Sequence, residues 1–190
     1  MTNFSVKQIK LNDAKIITPF YSGDIRGSFE KIYERDIFLD YGIEFNLTET
    51  FMSISSKFVI RGMHFQYHFP QKKLVTVLKG ACYDVIVDLR KNSSTYLMYE
   101  TILLDDRNHS ILYIPKGFAH GFVSLVDDMH MLYMCDGKFN KESDTGIIFN
   151  DKTLNIVWPV ESIDNCIHSD RDLKLMSFSE FEKMHIFEDL

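Results

Sequence analysis

The 190-residue sequence predicts a mostly β fold: an antiparallel sandwich or barrel with short helices at its ends. Three observations point there. Short runs with apolar residues at every second position fill the middle of the chain. Turn residues interrupt them at short intervals, as antiparallel sandwiches and barrels require. Helical periodicity is confined to the ends. The 16 Phe and 9 Tyr fit this class, because aromatic residues favour strands and also line small-molecule pockets.

Taken in order, FEKIYERDIFLDYG (29–42) predicts a short helix or an irregular segment. In IEFNLTETFMSIS (43–55), Phe45, Leu47, Glu49, Phe51 and Ser53 share one face of a strand. KLVTVLKGACYDVIVDLR (73–90) is the clearest run, with two strands flanking Gly80 as in a hairpin. In its second half Tyr83, Val85, Val87 and Leu89 share one face; Cys82, Asp84, Ile86 and Asp88 share the other. Asp84 therefore sits among apolar residues and is expected to point into a cavity. TYLMYETILLD (95–105) and RNHSILYIP (107–115) are the next strands, ended by Pro115 and Gly117. HGFVSLVD (120–127) and MHMLYMCD (129–136) read as a strand pair around Asp127 and Asp128. In SFSEFEKMHIF (177–187), Ser179 with Glu182 three residues later predicts a capping box. No repeat or low-complexity tract interrupts the chain. One domain is expected over residues 1–190, with its core at about 15–175 and a helical tail at about 176–190.

Composition narrows the function. The chain is 45% hydrophobic and 25% charged, which argues against disorder and fibrous repeats. A net charge of −6 without a Lys/Arg block disfavours duplex nucleic acid and anionic membrane as partners. An anionic ligand would then be small and held by a few inward-facing cations. Cys82, Cys135 and Cys166 are odd in number and widely spaced, unlike a disulfide framework or a zinc site. The start lacks the apolar core of a signal peptide, and no 18-residue apolar stretch occurs. A reduced, cytoplasmic protein is expected.

Taken alone, His64 in RGMHFQ (61–66) reads as a packed core histidine, and Tyr133 as strand packing. Lys73, Val75 and Val77 alternate together, which puts Lys73 on a cavity-facing side. IPKGFAHGF (114–122) has the spacing P-x-G-x-x-H and resembles the second motif of the cupin superfamily, a β-sandwich jelly roll that often binds metal. Its first motif, H-x-H with a glutamate, has no match: His64 and His68 are four apart and no suitable glutamate follows. No metal and no cofactor are therefore expected.

RGMHFQ, QKKLVTVLKGACYDVIVDLRKNSSTY, LYIPKGFAHGFVSL, MLYMCDGKFNKESDTGIIFND and LNIVWPVESIDNCIHSDRD follow one another in order. Together they resemble the dTDP-4-dehydrorhamnose 3,5-epimerase family over about residues 15–175. The resemblance implies a cupin-like, double-stranded jelly roll, a metal-free homodimer, and a nucleotide-diphosphate 4-keto-6-deoxy sugar as substrate. It implies removal of a proton from C3 or C5 to give an enolate, and its return on the opposite ring face. That chemistry needs a base, an opposed acid and a cation for the enolate oxygen. By the resemblance, His64 falls on the base, Asp170 on its carboxylate partner, Lys73 on the enolate's cation and Tyr133 on the acid. Asp172 stands close enough in sequence to be the partner instead. His120 and Asp84 fall on a second buried pair near the site. Arg61 and Arg26 fall on positions expected at the diphosphate or nearby groups, which suits guanidinium. Gln66, Glu49 and Phe29 complete the expected substrate contacts.

The sequence also departs from the family. Where Q-x-N-x-S is usual it reads ETFMS, so Glu49 replaces the glutamine and Phe51 the asparagine. Lys31 stands where a glutamate is common, and YMCDGKFN lacks the usual lysine and paired tyrosines. GDP- or CDP-linked 4-keto sugars, heptoses included, are therefore alternatives, as are inversion at C3 alone or C5 alone. A 3,4-ketoisomerase and a non-catalytic sugar-nucleotide-binding jelly roll are further alternatives.

Overall fold

A strand with apolar residues on both faces needs a different layer against each, and stacked sheets supply them. The structure, a computed structural model, describes residues 4–190. One sheet has six strands, in the spatial order β1 (Ser5–Gln8), β2 (Lys15–Thr18), β10 (Ile111–Ile114), β7 (Lys72–Lys79), β12 (Met129–Asp136) and β5 (Glu49–Ser55). The other has five, in the order β13 (Asp144–Gly146), β6 (Ile60–Gln66), β11 (Phe118–Ser124), β8 (Ala81–Asp88) and β9 (Tyr99–Asp105). β3 (Phe20–Asp24) and β4 (Gly27–Lys31) form a separate hairpin. The strand neighbours within both sheets pair antiparallel. Two such sheets with the chain passing between them are a jelly-roll arrangement, as expected.

The two faces of β8 meet two different cores. Cys82 and Ile86 pack inward with Val75, Val77, Phe122, Met131 and Tyr133, which come from both sheets. Val85, Val87 and Leu89 pack outward with Trp158, Phe178, Phe181 and Phe187 from the C-terminal segment. The tail thus forms the outer wall of the five-stranded sheet. Each of its three buried phenylalanines contributes on the order of 2 kcal/mol of apolar burial. A third cluster sets Phe38 of α1 (Arg35–Asp40), Ile43 and Phe45 with Leu74, Ile111, Tyr113 and Met134 of the six-stranded sheet.

Three local expectations need correction. The strands flanking Gly80 are not a hairpin: β7 and β8 lie in different sheets. The strands flanking Asp127 and Asp128, β11 and β12, also lie in different sheets. Alternation sets which residues share a face but not which strand is the partner, so a sheet crossing and a hairpin look alike in sequence. Gly80 has φ +84°, and a Cβ there would meet Val126 at 2.5 Å, so the two crossings lie side by side. The capping box is Ser177 with Glu180, not Ser179 with Glu182: α2 (Phe178–Glu182) starts two residues earlier, where Phe178 and Phe181 are buried together.

Away from the sheet mouth, Asp88 is fully buried and accepts from Arg90, Ser93 and Thr95. Burial pushes its carboxyl up, but these bonds outweigh it and hold the pKa below the ordinary value.

Candidate active site

At one end of the space between the sheets the apolar lining gives way to polar side chains around a cleft of about 260 Å³. Barrel mouths of this kind are common ligand sites. The five-stranded sheet contributes Arg61 and His64 from β6 and His120 from β11. The six-stranded sheet contributes Glu49, Phe51 and Ser53 from β5, Lys73 from β7 and Tyr133 from β12.

Strict alternation would put Arg61 and His64 on opposite faces of β6. The register explains why both line the cleft. His120 pairs with His64, but Phe122 pairs with Arg61, so β6 carries one extra residue there. Such a bulge re-aims side chains. Gly62 and Gly121 make it possible: a Cβ on Gly62 would meet Gly121 Cα at 2.6 Å, and Gly62 has φ +114°.

His64 Nε2 lies 2.8 Å from Asp172 Oδ1, and Asp172 Oδ2 accepts from the Gly62 N–H at 3.1 Å. Asp172 is buried; Asp170 is exposed. The partner of His64 is therefore Asp172, and the assignment to Asp170 is corrected. The chain around them lacks periodicity, so sequence could not choose. The choice is made by a 3₁₀ turn at Asp172–Lys174, where the Asp172 N–H donates to Ser169 Oγ, and by Ile167, bonded to Phe58 and Ile60 beside β6. Burial pushes the Asp172 carboxyl up, but the His64 contact, the Gly62 amide and Ser169 bring it below the ordinary value. Asp172 thus remains a carboxylate and His64 Nε2 is the donor. Nδ1 keeps its lone pair and has no protein partner among the described residues.

Tyr133 is buried, stacked on Phe51 with centroids 4.7 Å apart, and its hydroxyl lies 3.5 Å from Ser53 Oγ. Burial raises its pKa well above the ordinary value, so the phenol stays protonated. Burial lowers that of Lys73, against the opposing pull of Cys135, Asp144, Asp84 and Glu49. Asp84 lies behind the cleft, 2.8 Å from His120 Nε2. Gln66 lines the cleft, and its amide donates to Phe69 O and Lys138 O and accepts from Asn140 N–H. It shapes the loop that carries Phe139 to the rim.

Arg26 and Phe29 do not reach this cleft. They sit on the β3–β4 hairpin, where Arg26 pairs with Asp24 and Ile25 at the tip is fully exposed. Local sequence could not show that the hairpin stands apart from its own chain's mouth. Arg171, Asp144 and Gln71 line the cleft and were missed. Arg171, 2.6 Å from Asp144, adds a second guanidinium to the cleft lining; its only signal was its place in HSDRD. The cleft can hold an anion between two guanidiniums. It also sets an oriented imidazole and a protonated phenol on walls from different sheets. Among the described residues, no group of three or more His, Cys, Asp or Glu is gathered as a metal site.

Residues 8–180 match the family described as dTDP-4-dehydrorhamnose 3,5-epimerase. A relative of that name from Methanothermobacter thermautotrophicus is 40% identical over 172 residues, 90% of this chain and 93% of the relative. A crystal structure of a dTDP-4-dehydrorhamnose 3,5-epimerase from Bacillus anthracis, with TDP and pyrophosphate bound, superposes with a TM-score of 0.87. It is 39% identical, over 92% of this chain and 99% of that one. The structure of a dTDP-6-deoxy-D-glucose-3,5-epimerase from Legionella pneumophila, in complex with dTDP-4-keto-L-rhamnose, superposes with a TM-score of 0.93. It is 30% identical, over 99% of this chain and 100% of that one.

Proposed function

The chain belongs to the dTDP-4-dehydrorhamnose 3,5-epimerase family, and we propose that it inverts C3 and C5 of a dTDP-4-keto-6-deoxy sugar with His64 as base and Tyr133 as acid. The C4 ketone acidifies the hydrogens on C3 and C5. His64 Nδ1 takes one, and Asp172 stabilises the imidazolium. The enolate oxygen that forms is met by the Lys73 ammonium. Tyr133 returns a proton to the other ring face; water then takes up the proton of the His64 imidazolium and reprotonates the phenolate, restoring both groups. Arg61 and Arg171 hold the diphosphate.

One observation carries this. His64 comes from one sheet and Tyr133 from the other, and both line the same cleft. Packed sheets lie ~10 Å apart, room for a sugar ring between a base and an acid on opposite faces. Removal on one side and return on the other is what inversion requires.

The protein acts as a homodimer in which the β3–β4 hairpin of one copy reaches the cleft of the other. Support comes from the exposure of Ile25, Arg26 and Phe29 at the hairpin and from their absence from the chain's own cleft.

The test is incubation in heavy water with dTDP-, GDP- and CDP-linked 4-keto-6-deoxy sugars. Deuterium at C3 and C5 of the dTDP sugar, lost in His64→Asn, is the expected result. Wild-type protein that exchanges hydrogen in none of them overturns the proposal; exchange confined to a GDP or CDP sugar corrects the nucleotide.

A further inference from the structure

We propose that Glu49 is a positioning residue for Lys73, its carboxylate being a counter-charge that helps keep the Lys73 ammonium protonated at the substrate ketone. This rests on the assignment of Lys73 to the enolate oxygen. Cys135 is paired in register with Glu49 on β5 and with Lys73 on β7. The three side chains therefore form one row across three strands, on the face that lines the cleft. Both ends of the row, Glu49 and Lys73, line the cleft.

Two other carboxylates act on Lys73, and each lies against another side chain. Asp84 is 2.8 Å from His120, and Asp144 is 2.6 Å from Arg171. Glu49 has no cation within 4.0 Å among the described residues. Among the described residues its only side-chain hydrogen bond is accepted at Oε1 from Gln71 Nε2 at 3.1 Å, and Gln71 is itself fixed to the Gly137 carbonyl at 2.7 Å. That bond orients the carboxylate and leaves its charge uncompensated.

Lys73 needs such a charge. Desolvation favours the neutral amine, and Arg61, Arg171 and any protonated His64 line the same cleft with positive charge. Cys135 between them is a thiol whose pKa burial raises to about 11, and Tyr133 is held higher still than its ordinary value. Neither supplies negative charge at neutral pH. A neutral Lys73 cannot stabilise the enolate, so its deprotonation sets the alkaline limit of activity.

Glu49→Gln removes the charge, keeps the shape and can still accept from Gln71. The alkaline limb of kcat/KM should move to lower pH by about half a unit to one unit, while Glu49→Asp should keep the wild-type limb. The Lys73 Cε signal in ¹³C-lysine NMR, assigned by its loss in Lys73→Arg, should titrate at correspondingly lower pH in Glu49→Gln. An unchanged NMR midpoint in Glu49→Gln overturns the proposal, even if KM rises, because Glu49 would then act only as a hydrogen-bond acceptor for substrate. A shifted midpoint in a protein that epimerises no 4-keto sugar upholds the charge pairing and overturns the epimerase assignment instead.

Discussion

Replacing Asp172 by Asn should abolish the base without unfolding the protein. The carboxylate accepts from His64 Nε2 at 2.8 Å and from the Gly62 backbone at 3.1 Å. Asparagine offers one acceptor and one donor at the same two places. The backbone N–H cannot change its role, so the amide oxygen must face Gly62. The amide hydrogens then face His64 Nε2, which has to become an acceptor. The imidazole proton moves to Nδ1, the nitrogen needed to take hydrogen from the sugar. Loss of a correctly protonated base costs ~10²–10⁴ in rate, or about 3–5 kcal/mol of barrier at 1.36 kcal/mol per tenfold. Stability should change far less, by ~1 kcal/mol, since both hydrogen bonds persist in weaker form. Asp170→Asn is the control: its parent side chain is exposed, so exchange should stay near the wild-type rate. The assay is deuterium incorporation at C3 and C5 in heavy water, with urea unfolding alongside. Wild-type exchange in Asp172→Asn together with loss in Asp170→Asn would refute the tautomer reasoning.

Tyr133→Phe removes the proton donor and leaves the ring stacked on Phe51. Hydrogen exchange should survive, while net inversion falls ~10²–10⁴-fold, seen by comparing NMR of deuterium uptake with product stereochemistry. If the hairpin serves the partner's cleft, Arg26→Ala and His64→Asn chains should each be weak alone but complement when co-expressed. Half the dimers are then mixed, each with one complete cleft, so roughly a quarter of wild-type activity returns; no recovery would put Arg26 outside the site. Asp88→Asn leaves Arg90 without its buried partner and should cost ~3 kcal/mol in urea unfolding. The folded-state pKa of Asp88 is below its ordinary 3.8, so its stabilisation is complete above pH 3.8 and fades as pH falls through the folded value. The difference between wild type and variant should therefore shrink on the acid side.

The sequence by itself determined the β class, the faces of the strands and most of the cleft's chemistry. Lys73 with Val75 and Val77, and Glu49 with Phe51 and Ser53, share faces because strand side chains alternate with period two. Five motifs in order pointed to the family. Tertiary structure decided everything that depends on partners. It sent the strands around Gly80 into different sheets, put Arg61 and His64 on one face through a bulge, chose Asp172 over Asp170 and set Arg26 and Phe29 apart from their own cleft. Side-chain alternation is a property of the local backbone and is written in neighbouring residues. Pairing, bulges and the seating of an irregular segment are settled by contacts far apart in the chain, such as that between positions 64 and 172, and no local pattern encodes them.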